Sequence, residues 1–359
     1  MEIKLLITAI IFCSSFVLSF FGLKMFLKTQ RNADTALSPF HSIFIVLCPL
    51  IFLAAAAIYF QTLPQEDFLY PLSFPEICLA GCLSLLVYFL AFFSPRPLYS
   101  FLGILLSMAV ISLFVPREFL LFDGSLPFAA DRILLVFIFS FFCFGFKYLN
   151  GIEGLLNLHF IFSMLVIFLL SLVDGVPVAL GLTALAVIGI LSAFQIFNAY
   201  PARLQLNTVE SAGLGFIITW ITLKATIEGA ATCCLTFNLF YIYTVAAAII
   251  AKFSLRPDRQ NITTNTGYYR ALIKGLSPAD ICSTVGRLLL FLTIISAFQL
   301  YAPNWYSIPL FSLLAVIWFS EQLKNWDKKN PTLKEINNDI LNEFKNNIDE
   351  IKNNLRKDD

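Results

Sequence analysis

Apolar runs of about 20 residues recur from Ile3 to Ser320, and no other feature constrains the fold so tightly. A bilayer core is about 30 Å thick and a helix rises about 1.5 Å per residue, so each run has the length needed to cross it. Backbone polar groups find no water there, so each run must close its own hydrogen bonds as a helix. With 58% hydrophobic and 13% charged residues, a chain of 359 residues also has too little charge to cover a soluble fold. The pattern predicts an all-α, polytopic membrane protein. About eleven spans are expected, at roughly 3–24, 40–60, 76–95, 98–115, 131–149, 153–173, 176–197, 211–226, 230–252, 284–300 and 304–320. The first run is too long for the apolar core of a signal peptide and lacks a small-residue cleavage site, which predicts a retained anchor.

Positively charged short loops stay in the cytoplasm, and Lys and Arg are placed unevenly here. One set of connections carries Lys24, Lys28, Arg31, Arg96, Lys147, Arg203, Lys252, Arg256, Arg259, Arg270, Lys274 and Arg287. The other set carries Arg117 and Arg132 beside acidic residues such as Glu66, Asp67 and Asp174. The N-terminus is therefore expected outside and the C-terminus inside. The basic residues follow this topology and the net charge is +1, so they do not point to a nucleic-acid partner. Most of the eight cysteines fall within spans, and Cys78 and Cys82 stand four apart on one helix. They read as small packing residues rather than a metal or redox pair.

After Ser320 the composition changes. Residues 1–320 form one membrane unit, and residues 321–359 form a charged tail rich in Lys, Asn, Asp and Glu. Pro331, Thr332 and Glu335 have the pattern of a helix start. Leu333, Ile336, Ile340, Phe344, Ile348, Ile351 and Leu355 then recur at spacings of three and four, which predicts a cytoplasmic amphipathic helix. Its stripe could lie on the membrane, associate with a second copy through residues 331–357 or bind a partner protein, but its polar face mixes both signs, which favours a solvated helix packed loosely on its own protein.

Charged groups bordering membrane spans are costly, so Lys147, Glu153, Arg203, Glu210 and Asp280 stand out. Lys147 serves equally well as an interfacial anchor or as an anion contact.

Four segments together carry a family resemblance. Phe197-Asn198-Ala199-Tyr200-Pro201-Ala202-Arg203 resembles an F-N-x-x-P-A-K/R motif. Asn150-Gly151-Ile152-Glu153-Gly154-Leu155 resembles D-G-x-D-G-L, and the stretch from Leu206 to Phe216 resembles F-M-G-D-x-G-S-L-x-L-G-F. Tyr269 to Asp280 resembles R-R-x-x-x-G-x-S-P-x-x-D. The chain thus resembles, over roughly residues 1–320, the polyprenyl-phosphate N-acetylhexosamine-1-phosphate transferases. These are the glycosyltransferase family 4 enzymes that include GlcNAc-1-phosphate and phospho-MurNAc-pentapeptide transferases.

The resemblance implies a multi-pass protein of the bacterial cytoplasmic membrane that acts in cell-envelope glycan synthesis. Such enzymes attack a UDP-sugar with polyprenyl phosphate, release UMP and use magnesium held by carboxylates. It also implies Lys147, Asn198, Arg203, Arg270 and Lys274 as contacts for the anionic substrates.

The catalytic positions are substituted. No Asp or Glu lies between Glu76 and Glu118, where the family's acidic pair precedes Ser94. The motif aspartates become Asn150 and Glu153, and a third becomes Thr208. Ile281-Cys282-Ser283-Thr284 stands where the family's histidines belong; the two histidines are His41 and His159, both within spans. An amide brings neither charge nor a base, and a hydroxyl holds magnesium poorly. These substitutions predict a relative without magnesium-dependent turnover that binds polyprenyl phosphate, a UDP-sugar or a partner protein. Two alternatives stand beside it. One is an active transferase whose metal is held by Glu153, Glu210 and Asp280. The other is a lipid or glycan transporter, whose expected charge relay and broken helices are not evident in the sequence.

Overall fold

The computed structural model describes residues 2–31, 74–93, 97–122, 124–254, 266–302 and 305–326, and these residues are helical or in turns. The helices are α1 (Glu2–Arg31), α2 (Phe74–Phe93), α3 (Pro97–Ser112), α4 (Phe128–Leu149), α5 (Leu155–Leu172) and α6 (Val178–Asn198). They continue with α7 (Thr208–Ala225), α8 (Ala231–Ser254), α9 (Gly267–Ile273), α10 (Pro278–Gln299) and α11 (Ser307–Lys324). The expected span at 40–60, His41 and the amphipathic tail at 331–357 lie outside the described residues.

Among the described residues, seven helical stretches are long and apolar enough to cross a membrane. One of them, Thr208–Ile250, is 43 residues long and consists of α7 and α8 joined by a π-helical turn at Thr226–Ala230. Gly229 in that turn has φ 96°, a left-handed conformation that suits glycine and lets the chain reverse. The protein is therefore an all-α, multi-pass membrane protein. With 16 residues, α3 measures about 24 Å and falls short of a full bilayer core.

Helices α6 and α7 are apolar around most of their circumference, and both are buried in the centre. α1 and α5 pack on α6, while α2 and α4 pack on α7; α10, α8 and α11 follow beyond α5. Lipid supplies no hydrophobic drive for helix association, so close contact and interhelical hydrogen bonds must hold the bundle. A Cβ at Gly189 would stand 2.1 Å from Ser15 Oγ and 2.9 Å from the Phe12 carbonyl oxygen, so the α1–α6 crossing needs a residue without one. Ser84 Oγ donates to the Gly213 carbonyl at 2.9 Å, joining α2 to α7. Ser296 Oγ donates to the Cys233 carbonyl at 2.7 Å, joining α10 to α8.

Two differences from the sequence expectation have clear causes. α4 starts at Phe128 rather than Asp131, because Asp131 is not a boundary charge. Its buried carboxylate accepts the backbone N–H groups of Leu121 and Phe122, each at 3.0 Å, and so holds the preceding loop. α11 runs past Ser320 to Lys324, with Lys324 paired to Glu321. Within the basic 253–283 loop the short helix α9 was not anticipated; Gly267 lies so close to α11 that a Cβ would meet the Ser320 carbonyl oxygen at 2.7 Å.

Candidate functional site

The end of α2 and the start of α3 meet the end of α4 and the start of α7 at one face of the bundle. The turn after α4, the end of α6 and the segment leading to α7 meet beside them. The N-terminal end of α10 and the helix α9 are bonded to the same region. Cys282 Sγ donates to the Glu153 carbonyl at 3.2 Å, and the Tyr268 hydroxyl to the Tyr148 carbonyl at 2.8 Å. Burial raises the Tyr268 phenol above its ordinary range, so it serves as a protonated donor.

The Asn150–Leu155 turn is built by local chemistry. Asn150 follows the last residue of α4, and Gly154 has φ 79° just before α5. The left-handed conformation at Gly154 calls for glycine; a Cβ there would stand 2.8 Å from Gln195 Nε2, the end of a side chain that can shift. Asn150 Nδ2 donates to the Leu206 carbonyl at 2.6 Å. Glu153 Oε2 accepts the Ala202 N–H at 2.9 Å, and Oε1 accepts Gln205 Nε2 at 2.9 Å. On the other side Asn198, 2% exposed, donates from Nδ2 to the Leu204 carbonyl at 2.8 Å. Below the turn, Asn157 Nδ2 donates to the Leu191 carbonyl at 2.9 Å and to Gln195 Oε1 at 2.6 Å. Asn150 and Glu153 therefore stitch the 202–206 segment to the α4–α5 turn, while Asn198 closes that segment back onto the end of α6. Between the two segments lies a polar cavity of about 250 Å³, lined by Asn150, Glu153, Asn198, Gln205 and backbone of the turn.

A second cavity of about 230 Å³ lies between α2, α3, α4 and α7. Ser100, Lys147 and Thr208 line its polar part, and Ala91, Ile104 and Phe144 its apolar part. The Lys147 ammonium stands 3.3 Å from the Phe144 ring centroid and 5.0 Å from that of Tyr148. Asn207 at the N-cap of α7 makes no side-chain cap bond, and the first turn of the helix carries the acidic Glu210. No described carboxylate lines this cavity. Glu210 belongs to the same turn of α7 but is buried at 3% exposure and accepts from Asn207 Nδ2 at 3.4 Å.

The remaining candidates are spread around this face. Arg203 is exposed, and its backbone N–H donates to the Phe197 carbonyl at 2.8 Å. Arg270 is exposed on α9, whereas Lys274 reaches the Lys324 carbonyl at 2.5 Å. Asp280 lies in the first turn of α10, where its carboxylate accepts the Ser277 hydroxyl at 2.6 Å and its N–H donates to Ser277 Oγ at 3.2 Å. The structure thus brings Lys147 and Thr208 to one cavity and Asn150, Glu153 and Asn198 to the other.

Among the described residues, no three His, Cys, Asp or Glu side chains gather in a way that could hold a metal ion. The candidate set Glu153, Glu210 and Asp280 therefore does not assemble as one site, because each carboxylate serves its own turn or cap. The side chains present do not fit magnesium, which requires near-octahedral oxygen coordination. His159 is wholly buried against Phe237 and Tyr241, each ring centroid 5.4 Å away, and is part of neither cavity. Ser100 and Gln205 were missed by sequence reasoning; their residue types carry no signal without the fold. The chain matches no family model and no curated protein.

Proposed function

We propose that the chain is a non-catalytic membrane relative of the polyprenyl-phosphate phosphosugar transferases. In this reading it keeps their site-bearing face as a receptor for a phosphorylated lipid or a nucleotide sugar. The observation that carries the reading is the use made of Asn150 and Glu153, the two substituted motif positions. Their polar atoms are hydrogen-bonded to Leu206, Ala202 and Gln205, so they hold loops together. The Lys147 cavity supports the same reading. It places Thr208 near Ala91 at the end of α2, close to where the acidic pair would belong, yet no described carboxylate lines it.

Without those carboxylates the charge that develops in phosphoryl transfer loses several kcal/mol of cation stabilisation. What remains is binding, with a lysine and hydroxyls facing a phosphate. The protein then belongs in the bacterial cytoplasmic membrane, with this basic face in the cytoplasm and the N-terminus outside.

The test is UMP release from UDP-GlcNAc and related UDP-sugars with undecaprenyl phosphate, with and without magnesium. Folded protein should give none, and turnover with any of these substrates would refute the reading in favour of an active transferase.

A further inference from the structure

The chain between α3 and α4 crosses the edge of the membrane core without a helix. α3 starts beside the last turn of α4, where Pro97 and Lys147 share a cavity wall, and runs back along it. At about 24 Å it falls about 6 Å short of a bilayer core of about 30 Å, whereas the 22 residues of α4 reach about 33 Å. Tilting α3 only widens the gap. The residues after Ser112 therefore continue at the depth of the lipid tails, at the end of the bundle opposite the two cavities. Leu113 there is 80% exposed, and Phe114, Phe122 and Phe128 are exposed as well. Leu106 and Ile133, exposed on nearby turns of α3 and α4, carry the apolar surface on into the two spans.

Backbone outside a helix is tolerated at that depth only when protein groups satisfy it, because an unpaired N–H or C=O is costly in hydrocarbon. This segment is satisfied from within. The N–H groups of Leu113, Phe114 and Val115 donate to the carbonyls of Val110, Ile111 and Ser112 at 3.2, 3.0 and 3.3 Å, and that of Phe119 turns back to the Pro116 carbonyl at 3.3 Å. The Asp131 carboxylate takes the N–H groups of Leu121 and Phe122. Its neighbour Arg132 donates from Nη2 to the Pro116 carbonyl and to the Phe119 carbonyl, the latter at 3.1 Å. One side chain gathers the donors and the next gathers the acceptors. Val115, Phe119 and Leu121 pack inward against the core, so the segment is folded onto the bundle with its other apolar side chains outward. Arg117 and Glu118, both exposed, mark where it reaches water.

We infer that residues 113–122, with Phe128 at the start of α4, form a built-in anchor whose partner is the phospholipid of one leaflet. Leu113, Phe114, Phe122 and Phe128 lie among the upper parts of the lipid tails, and Arg117 and Glu118 lie in the water above them. Asp131 and Arg132 hold the anchor closed, and the Arg132 guanidinium stands 5.0 Å from the Phe128 ring centroid, which ties that ring to the loop. Exposed Tyr301, Trp305 and Tyr306, beyond the end of α10, supply interfacial side chains at the same end. The anchor involves neither cavity and stands apart from the receptor reading.

The experiment uses the full-length protein, free of its own cysteines, in phosphatidylglycerol–phosphatidylethanolamine vesicles. A nitroxide is placed at one introduced cysteine at a time: Leu106→Cys, Leu113→Cys, Glu118→Cys or Phe122→Cys. Collisions with oxygen, which concentrates in lipid, and with a nickel chelate, which stays in water, read the depth of each. The oxygen-to-nickel ratio at 113 and 122 should exceed that at 118 by about fivefold or more and stay below that at 106.

A ratio at 113 and 122 equal to that at 118 places the segment in water and overturns the inference. Few collisions with either reagent overturn it as well, because protein then covers the segment instead of lipid; recovery of collisions on diluting the protein in lipid would identify that cover as a second copy. Should Leu113→Cys or Phe122→Cys not fold, Phe128→Cys takes its place with the same expected ratio.

Discussion

Asn150 and Glu153 look, in sequence, like damaged members of a catalytic motif, but in the fold each is a donor or acceptor with a specific loop partner. Asn150 presents an N–H to the Leu206 carbonyl, which a carboxylate cannot do. Asn150→Asp therefore sets two oxygens against each other across 2.6 Å and should destabilise the fold by about 1–3 kcal/mol. A lower Tm in detergent, with no gain of UMP release, is the expected outcome. The positions of these residues were legible because their spacing resembles that of a known motif. Their partners were not, because a backbone carbonyl at Leu206 or an N–H at Ala202 has no signature in sequence. The Lys147 cavity was hidden for a related reason. Ala91, Ser100 and Phe144 are ordinary residues of membrane helices and come together only through packing.

The helices themselves were largely legible, since an apolar run in lipid has no alternative to helix. Ten of the roughly eleven expected spans coincide in position with described helices, and the other lies outside them. What could not be read was which faces meet. Gly189 and Ser15 are far apart in the chain, and only the fold shows that a side chain at one would enter the other. Gly189→Leu should separate α1 from α6 and lower Tm, while Gly124→Leu, where the nearest side-chain atom is 3.9 Å from the Cβ position, should have a smaller packing cost despite its φ of 79°. Equal losses in Tm would contradict the close crossing. The short helix α9 had a readable signal in Tyr268, Ala271 and Leu272, whose helical spacing marks one packed face within an otherwise basic loop.

At the scale of the molecule, both cavities and the candidate residues Arg203, Arg270 and Lys274 lie on the face where α4, α6 and α8 end. The opposite end carries the 2.5 Å Lys224–Glu76 ion pair and the exposed aromatic residues Tyr301, Trp305 and Tyr306, which suit a membrane–water interface. The positive-inside distribution then predicts a labelling pattern in a cysteine-free background. Arg203→Cys should react with a membrane-impermeant thiol reagent only after the cells are opened, and Trp305→Cys should react in intact cells. The reverse pattern would invert the assigned topology. The most direct test of the account asks whether Glu153 holds the fold or takes part at the site. Glu153→Ala removes both hydrogen bonds to the 202–205 segment, so Tm should fall by an amount equivalent to about 2 kcal/mol. Measured on the same folded preparation, the Kd for farnesyl phosphate, a short phosphorylated lipid, should stay within about twofold of wild type. An unchanged Tm together with lost binding would contradict the account.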